Sequence, residues 1–125
     1  MKHIKICIIC FCLSFSHFSN AQQFETGNGL ISACKKAEAY MDGENVQDYI
    51  SAAWCVGIVQ GTKNVLAAVS QSIPERQYAV CLPDRVTKAQ AVRVVNDYLE
   101  RNSDILHLPP SILITYALRE AYPCD

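Results

Sequence analysis

The sequence predicts an all-α protein, a small single-domain bundle of four main helices with two disulfides. Three observations support this fold class. Apolar residues recur at helical spacing, turn residues and prolines separate four such stretches, and an even number of cysteines follows the N-terminal segment. No convincing strand pattern, internal repeat or low-complexity tract interrupts the 125 residues. A chain of this length favours one domain.

The first residues predict export. A basic start, Met1–Lys5, precedes an apolar run over residues 6–15, and Ser19-Asn20-Ala21 supplies small residues for cleavage. The run is too short to span a bilayer, which takes about 20 apolar residues. We therefore expect residues 1–21 to be a cleaved signal peptide. Residues 22–125 would form a helical domain in the periplasm, with no membrane contact after cleavage.

The charge of the remaining chain argues against nucleic acid as a partner. Removal of Lys2 and Lys5 leaves 9 Lys and Arg residues against 12 Asp and Glu residues, a net charge of −3. Nucleic-acid-binding domains carry a basic patch or stripe instead. A mildly acidic surface suits a basic partner.

Four cysteines remain after cleavage, and we expect them to form two disulfides. A zinc site usually pairs its cysteines a few residues apart, and none of these are that close. In an antiparallel hairpin that turns at Glu44, Cys34 and Cys55 lie almost equally far from the turn. Cys81 precedes the third helix and Cys124 follows the fourth, so both lie at the open end of a second hairpin. The spacing therefore predicts Cys34–Cys55 and Cys81–Cys124.

The first predicted helix has one apolar stripe and a clear end. Leu30, Cys34, Ala37 and Met41 fall on one helical face. Asp42-Gly43 ends the helix, because glycine readily adopts the left-handed conformation of a helix C-terminus.

The second helix is expected from Val46 to about Ser72, with Asn45 or Asp48 as its cap. It is apolar over much of its circumference, which indicates the central helix, and Trp54 lies on its apolar face as a core aromatic. Gly57 and Gly61 share one face, and each costs about 1 kcal/mol inside a helix relative to alanine. We expect a neighbouring helix to approach closely there; the alternative is a ligand.

The last two helices have sequence signals at their ends. Thr87-Lys88-Ala89-Gln90 fits a capping box that opens the third helix. The fourth runs from Ser111 to about Tyr122, after Pro109-Pro110 and before Pro123.

The sequence offers no catalytic, cofactor or metal site. His107 is the only histidine after the predicted cleavage site, and it lies in an apolar segment without a nucleophile or second acid beside it. Carboxylates are scattered singly, and there is no metal-ligand spacing or glycine-rich phosphate loop. We therefore predict a protein that is not an enzyme, has no cofactor and acts through its surface.

Loops on a rigid scaffold commonly carry recognition, which directs attention to two connections. One is Asp42-Gly43-Glu44-Asn45 between the first two helices, and the other is residues 72–78 before the third. From exposure alone we predict partner contacts at Asp42, Glu44, Glu75 and Arg76.

Several short motifs lie between Gly29 and Cys124: Gly29-Leu30…Cys34, Cys55-Val56-Gly57…Gly61, Cys81-Leu82-Pro83, Thr87…Gln90, Val94-Val95…Tyr98-Leu99, Leu106-His107…Pro109 or Pro110, and Ala117-Leu118…Ala121-Tyr122-Pro123-Cys124. In their order and spacing these motifs resemble the Rap/Tai family. Members of that family are immunity proteins against type VI secretion amidase effectors. The resemblance implies a small, helical, periplasmic protein that often forms a homodimer.

The resemblance also implies a mechanism: the protein binds a peptidoglycan amidase and occludes its active-site groove. Two other functions stay open, because a scaffold does not fix function. One is a small disulfide-linked periplasmic stress chaperone, which would bind several clients weakly and show a pH-dependent transition. The other is an envelope inhibitor or accessory protein of different specificity.

Overall fold

The computed structural model describes residues 23–124, and these residues form helices and turns without a strand. The helices are α1 (Gly27–Met41), α2 (Tyr49–Val69), α3 (Lys88–Arg101) and α4 (Pro110–Ala121). Short 3-10 turns lie at Ser70–Ser72, Arg76–Tyr78 and Ser103–Ile105. The predicted all-α fold with four main helices is confirmed, whereas the predicted signal peptide lies outside the described residues.

Local capping explains where the helices begin. The Thr87 hydroxyl accepts the Gln90 N–H at 3.2 Å, and the Gln90 side chain accepts the Thr87 N–H at 2.8 Å, which is the predicted capping box. Asp48 caps α2 by accepting the Ser51 N–H at 3.1 Å. Because the cap is Asp48 rather than Asn45, α2 begins at Tyr49 and not at the predicted Val46.

All four helices contribute to one core. Its fully buried side chains come from one face of each helix and from the α2–α3 connection, and α2 packs against each of the other three helices. The largest are Leu30, Val59, Val80, Val92, Val95, Leu99, Leu113, Ile114 and Leu118. Within residues 23–124, no helix is both long enough and apolar enough to cross a membrane.

Two disulfides brace the bundle, as the fold prediction required. The Sγ atoms of Cys34 and Cys55 lie 2.01 Å apart and join α1 to α2 inside the core. The Sγ atoms of Cys81 and Cys124 lie 2.06 Å apart and join the α2–α3 connection to the chain that follows α4. The Cys81 N–H also donates to the Tyr122 carbonyl at 2.9 Å, so backbone and sulfur bonds hold the same two segments together.

Gly27 sets the packing of α1 against the α3–α4 connection. Its N–H donates to the Leu108 carbonyl at 3.2 Å. A Cβ atom at this position would lie 2.9 Å from the Leu106 Cα atom, closer than side chains tolerate. Glycine therefore allows the backbones to touch here.

The prediction of a close neighbour at Gly57 and Gly61 is wrong within residues 23–124. Both glycines are exposed, and a Cβ atom on either would meet no atom within 4 Å. Only one side of α2 packs into the core. The apolar residues on its other side have no packing partner among the described residues. Trp54 is half-buried and stacks on Phe24 with ring centroids 4.6 Å apart.

Candidate partner-binding surface

The four predicted contact residues fall into two groups that lie far apart. Asp42 and Glu44 belong to the turn before α2, and Glu75 and Arg76 follow the end of α2. A helix of 21 residues is about 30 Å long at 1.5 Å per residue. The structure therefore does not bring the two groups together into one site.

The α1–α2 turn has a fixed backbone conformation. Gly43 has φ +87°, in the left-handed region predicted for it. The Gly43 N–H donates to the Tyr40 carbonyl at 3.1 Å, and the Glu44 N–H donates to the Ala39 carbonyl at 2.9 Å. These two bonds form the Schellman motif. The turn therefore holds Glu44 in a defined position at the tip of the first hairpin.

An apolar groove lies beside this turn. Tyr40 of α1 and Tyr49 of α2 stand edge to face, with ring centroids 5.9 Å apart, and their side chains are 57% and 55% exposed. The groove has a volume of about 400 Å³ and is lined by these two tyrosines with Ala37, Met41, Ala52, Ala53 and Val56. Tyr and Met are enriched at protein interfaces. We call this the tyrosine groove.

Sequence reasoning missed both tyrosines. The available signal was the position of Tyr40, which lies off the apolar stripe of the first helix and next to the end of that helix. An aromatic residue off the buried stripe of an amphipathic helix points towards solvent. Tyr49 gave a weaker signal, because the predicted start at Val46 placed it inside the helix.

The tyrosine groove lies in an acidic part of the chain. Residues 37–53 contain four carboxylates and no lysine or arginine: Glu38, Asp42, Glu44 and Asp48. Arg93 of α3 pairs with Glu38 at 3.3 Å and also with Asp42. Lys36 pairs with Asp48 at 2.6 Å. Glu44 makes no ion pair with any described residue, so the tip of the hairpin retains negative charge.

The Lys36–Asp48–Ser51 cluster is structural. The Lys36 ammonium and the Ser51 hydroxyl and N–H all donate to Asp48, and they lower the pKa of that carboxyl from 3.8 to about 2. A carboxylate with so low a pKa is a poor general base at neutral pH. Ser51 is also 2% exposed, so a substrate would not reach it.

Arg76 and Glu75 differ in their surroundings at the other end of α2. The Arg76 guanidinium lies 3.0 Å from the Cys81 Sγ atom and 3.5 Å from the Ser70 carbonyl oxygen. Glu75 is exposed and makes no ion pair with a described residue. Arg76 is thus held against its own chain, whereas Glu75 points to solvent.

The solvent-facing side of α2 runs from the α1–α2 turn to the segment with Glu75 and Arg76, and it carries no charged residue. Ile50 is 78% exposed and Val65 is 61% exposed, and the small residues Ala53, Gly57, Gly61 and Ala68 on the same side are exposed as well. The one charged residue of α2, Lys63, lies elsewhere and donates to the Val86 carbonyl at 2.8 Å. We call this surface the outward face of α2.

His107 and the remaining polar residues form no reactive cluster within residues 23–124. His107 is exposed, and its Nδ1 atom lies 3.2 Å from the Asp104 carbonyl oxygen. No group of three or more His, Cys, Asp or Glu side chains in the described part of the chain could hold a metal ion.

Comparison with known proteins agrees with this picture of a surface-acting helical module. No curated protein and no solved structure matches the chain. The family model described as Rap1a immunity proteins matches residues 26–124, which include all four helices and both disulfides. The chain therefore belongs to the family of Rap1a immunity proteins.

Proposed function

We propose that this immunity protein acts in the periplasm, where it binds a peptidoglycan amidase effector of a type VI secretion system and occludes its active-site groove. Membership of the immunity family supports a secreted effector as the partner. The resemblance to the Rap/Tai family supports the amidase. The observation that carries the mechanism is the tyrosine groove beside the acidic tip, because it offers shape and charge without a reactive group.

We further propose that the effector inserts an apolar side chain into the tyrosine groove. Exposed aromatic residues provide large contact area at a small entropic cost. Glu44 and the surrounding carboxylates favour a basic residue next to that apolar side chain on the partner. Asp42 contributes charge while it stays paired with Arg93.

Glu75 and Arg76, the other two contacts predicted from the sequence, lie at the opposite end of α2. A partner that touches both ends must lie along about 30 Å of helix. We propose the groove as the main contact, since Arg76 already contacts Cys81. Glu75 and the 57% exposed Tyr78 then serve as matched controls for Glu44 and Tyr49.

The test is inhibition of the effector by purified variants. Residues 22–125 would be produced in an oxidising compartment, together with the product of the adjacent open reading frame as the candidate effector. We expect a complex that abolishes peptidoglycan cleavage. Tyr49→Ala should weaken binding about 30-fold, since a buried interface tyrosine contributes about 2 kcal/mol. Glu44→Lys should weaken it about tenfold, mainly through slower association at low salt.

The controls locate the contact. Tyr78→Ala and Glu75→Lys should bind within about twofold of the unchanged protein, because their side chains lie at the opposite end of α2. Equal losses at both ends would replace the groove with a contact along the whole helix. A complex that leaves cleavage intact would rule out occlusion, and the absence of any complex would rule out this effector.

Export is tested separately by mass spectrometry of the protein recovered from the periplasm. Cleavage after Ala21 predicts a chain that begins at Gln22. A chain recovered from the cytoplasm with Met1 retained would contradict both the signal peptide and the periplasmic location.

We also propose a homodimer that buries the outward face of α2. When two such helices cross antiparallel about a twofold axis at residue 59, Gly57 lies opposite Gly61, Ile50 opposite Ala68, and Ala53 opposite Val65. Each large side chain then meets a small one, and the central glycines allow close approach. A twofold interface requires this kind of self-complementarity.

Sedimentation of residues 22–125 tests the dimer. Gly61→Glu should shift the protein to monomer, because each glutamate would place a bulky charged side chain against Gly57 of the other copy, near the axis. Ser103→Glu adds the same charge at an exposed turn between α3 and α4 and should leave the dimer intact. A monomer at all concentrations for the unchanged chain would contradict the proposal.

A periplasmic chaperone is the second candidate function, and the outward face of α2 is the observation that favours it. Such a protein would use this apolar surface for many unfolded clients. Weak capture of several unrelated unfolded proteins, with a transition at acidic pH and no inhibition of the effector, would select this function instead.

A further inference from the structure

The two disulfides differ in their access to solvent. Cys34 and Cys55 are both 0% exposed, whereas Cys81 is exposed and Cys124 is half-buried. A soluble thiol reacts with a disulfide only when it can approach a sulfur atom in line with the bond. The Cys81–Cys124 bond therefore lies at the surface of the folded protein, whereas the Cys34–Cys55 bond lies in the core.

A positive charge lies against one sulfur of the exposed bond. The Arg76 Nη2 atom is 3.0 Å from the Cys81 Sγ atom, and Nη1 is 3.5 Å from the Ser70 carbonyl oxygen. The other charged residue that lines the cavity around Cys81 is Asp84, which opposes this effect. Because Arg76 is in direct contact, it favours a thiolate at Cys81.

We propose that Cys81–Cys124 is a reducible switch that a dithiol opens in the folded protein, with Cys81 as the leaving group. A thiolate of the dithiol attacks the Cys124 Sγ atom, the Cys81–Cys124 bond breaks, and its electron pair leaves on Cys81 beside Arg76. The second thiolate of the dithiol then attacks the first sulfur atom of the dithiol, which is bound to Cys124 in the mixed disulfide. That bond breaks, and Cys124 leaves as a thiolate. The dithiol loses two electrons and becomes a cyclic disulfide, and the protein gains two thiols.

The rest of the fold holds when this bond opens. Cys34–Cys55 still joins α1 to α2. Ala79 and Val80 are 0% and 2% exposed, and the Val80 N–H donates to the Ser70 hydroxyl at 3.0 Å. These contacts keep the α2–α3 connection in place up to Val80. The Cys81 N–H still donates to the Tyr122 carbonyl, so opening releases only the chain from Pro123 onwards. It exposes two thiols without unfolding the bundle.

Stepwise reduction tests the switch. The oxidised protein, residues 22–125, would be treated with increasing dithiothreitol, alkylated, and mapped by mass spectrometry while circular dichroism follows the helices. We expect alkylation of Cys81 and Cys124 first, with the helical signal retained and Cys34–Cys55 intact. A single kinetic phase in which both bonds open as the helical signal disappears would overturn the proposal.

Substitutions test the role of Arg76. Arg76→Met should slow the first phase roughly threefold to tenfold, because the leaving thiolate loses its charge partner. Arg85→Met removes the same charge from an exposed loop position and should leave the rate unchanged. Asp84→Asn should increase the rate. Equal rates for the Arg76 and Arg85 variants, or a slower Asp84→Asn variant, would remove Arg76 from the mechanism.

A monothiol identifies the leaving group directly. Brief treatment with glutathione should leave the mixed disulfide on Cys124, since Cys81 departs as the thiolate. Glutathione found mainly on Cys81 would contradict the assignment. This experiment needs no effector, so its result tests the disulfide switch independently of the proposed inhibition.

Discussion

The two sides of α2 have similar apolar composition and opposite surroundings. Ala52, Cys55 and Val59 are at most 5% exposed and pack into the core. Ile50 and Val65, on the outward face, are 78% and 61% exposed. Large exposed apolar patches on small proteins mark interaction sites. The difference teaches that helical periodicity identifies the apolar faces of a helix but does not say which of them packs into the core of the same chain.

The largest expected effect on the core side is loss of the buried disulfide. Cys34→Ala with Cys55→Ala should lower the free energy of unfolding by about 4–5 kcal/mol. The lost cross-link accounts for about 3 kcal/mol, and the two vacated sulfur positions account for the remainder. Urea unfolding at protein concentrations low enough to keep the chain monomeric measures this. A loss below about 2 kcal/mol would mean that the cross-link is not central to the core.

The valines of α2 compare the two faces with identical chemistry. Val59→Ala removes two carbon atoms from a site that is 1% exposed and should cost about 2–3 kcal/mol. Val65→Ala on the outward face should change monomer stability by less than about 0.5 kcal/mol. Equal costs in the same urea experiment would show that the outward face is buried within the monomer.

Signals carried by a few adjacent residues predicted the fold well. The capping box at Thr87 and Gln90, the left-handed Gly43 and the end of α4 before Pro123 all depend on local backbone chemistry. The spacing of the cysteines about a short turn likewise predicted which segments lie side by side. Such features need no knowledge of the tertiary packing.

The candidate site was less predictable because it depends on contacts between distant residues. Asp42 and Arg76 are exposed, as the sequence predicted, but Asp42 pairs with Arg93 and Arg76 contacts Cys81, which the sequence did not predict. The tyrosine groove forms where the end of α1 meets the start of α2, and its position depends on the Asp48 cap. Helical periodicity alone also cannot tell a glycine that touches a neighbouring helix from one that faces solvent.

A smaller and opposite effect is expected on the outward face. Gly57→Ala should raise monomer stability by about 0.5–1 kcal/mol, because alanine loses less entropy in a helix and the space around Gly57 is open. Gly43→Ala provides the contrast: its positive φ should make the same change destabilising by about 1 kcal/mol. Gly57→Ala should also weaken the proposed dimer, which sedimentation can measure on the same sample.

The smallest expected effect concerns Asp48, which caps α2 and belongs to neither face. Hydrogen bonds from Lys36, then from Ser51, lower the pKa of its carboxyl from 3.8 to about 2 in the folded protein. A folded-state pKa below the unfolded value means that the ionised group stabilises the fold above about pH 4. That contribution declines as the pH falls from about 4 to 2. Because the Asp48 side chain is 44% exposed, salt should weaken this contribution further.

Asp48→Asn keeps a capping side chain and removes the charge, so it isolates this contribution. The stability difference between Asp48→Asn and the unchanged chain should be constant above pH 5 and should shrink steadily as the pH falls from about 4 to 2. Asp97→Asn, at an exposed α3 position without an ion pair to a described residue, should give no such pH dependence. Urea unfolding from pH 2 to 7 provides the comparison. A difference that stays constant down to pH 2 would mean that Asp48 stabilises the start of α2 through its hydrogen bonds and not through its charge. The cap of α2 would then be insensitive to acid.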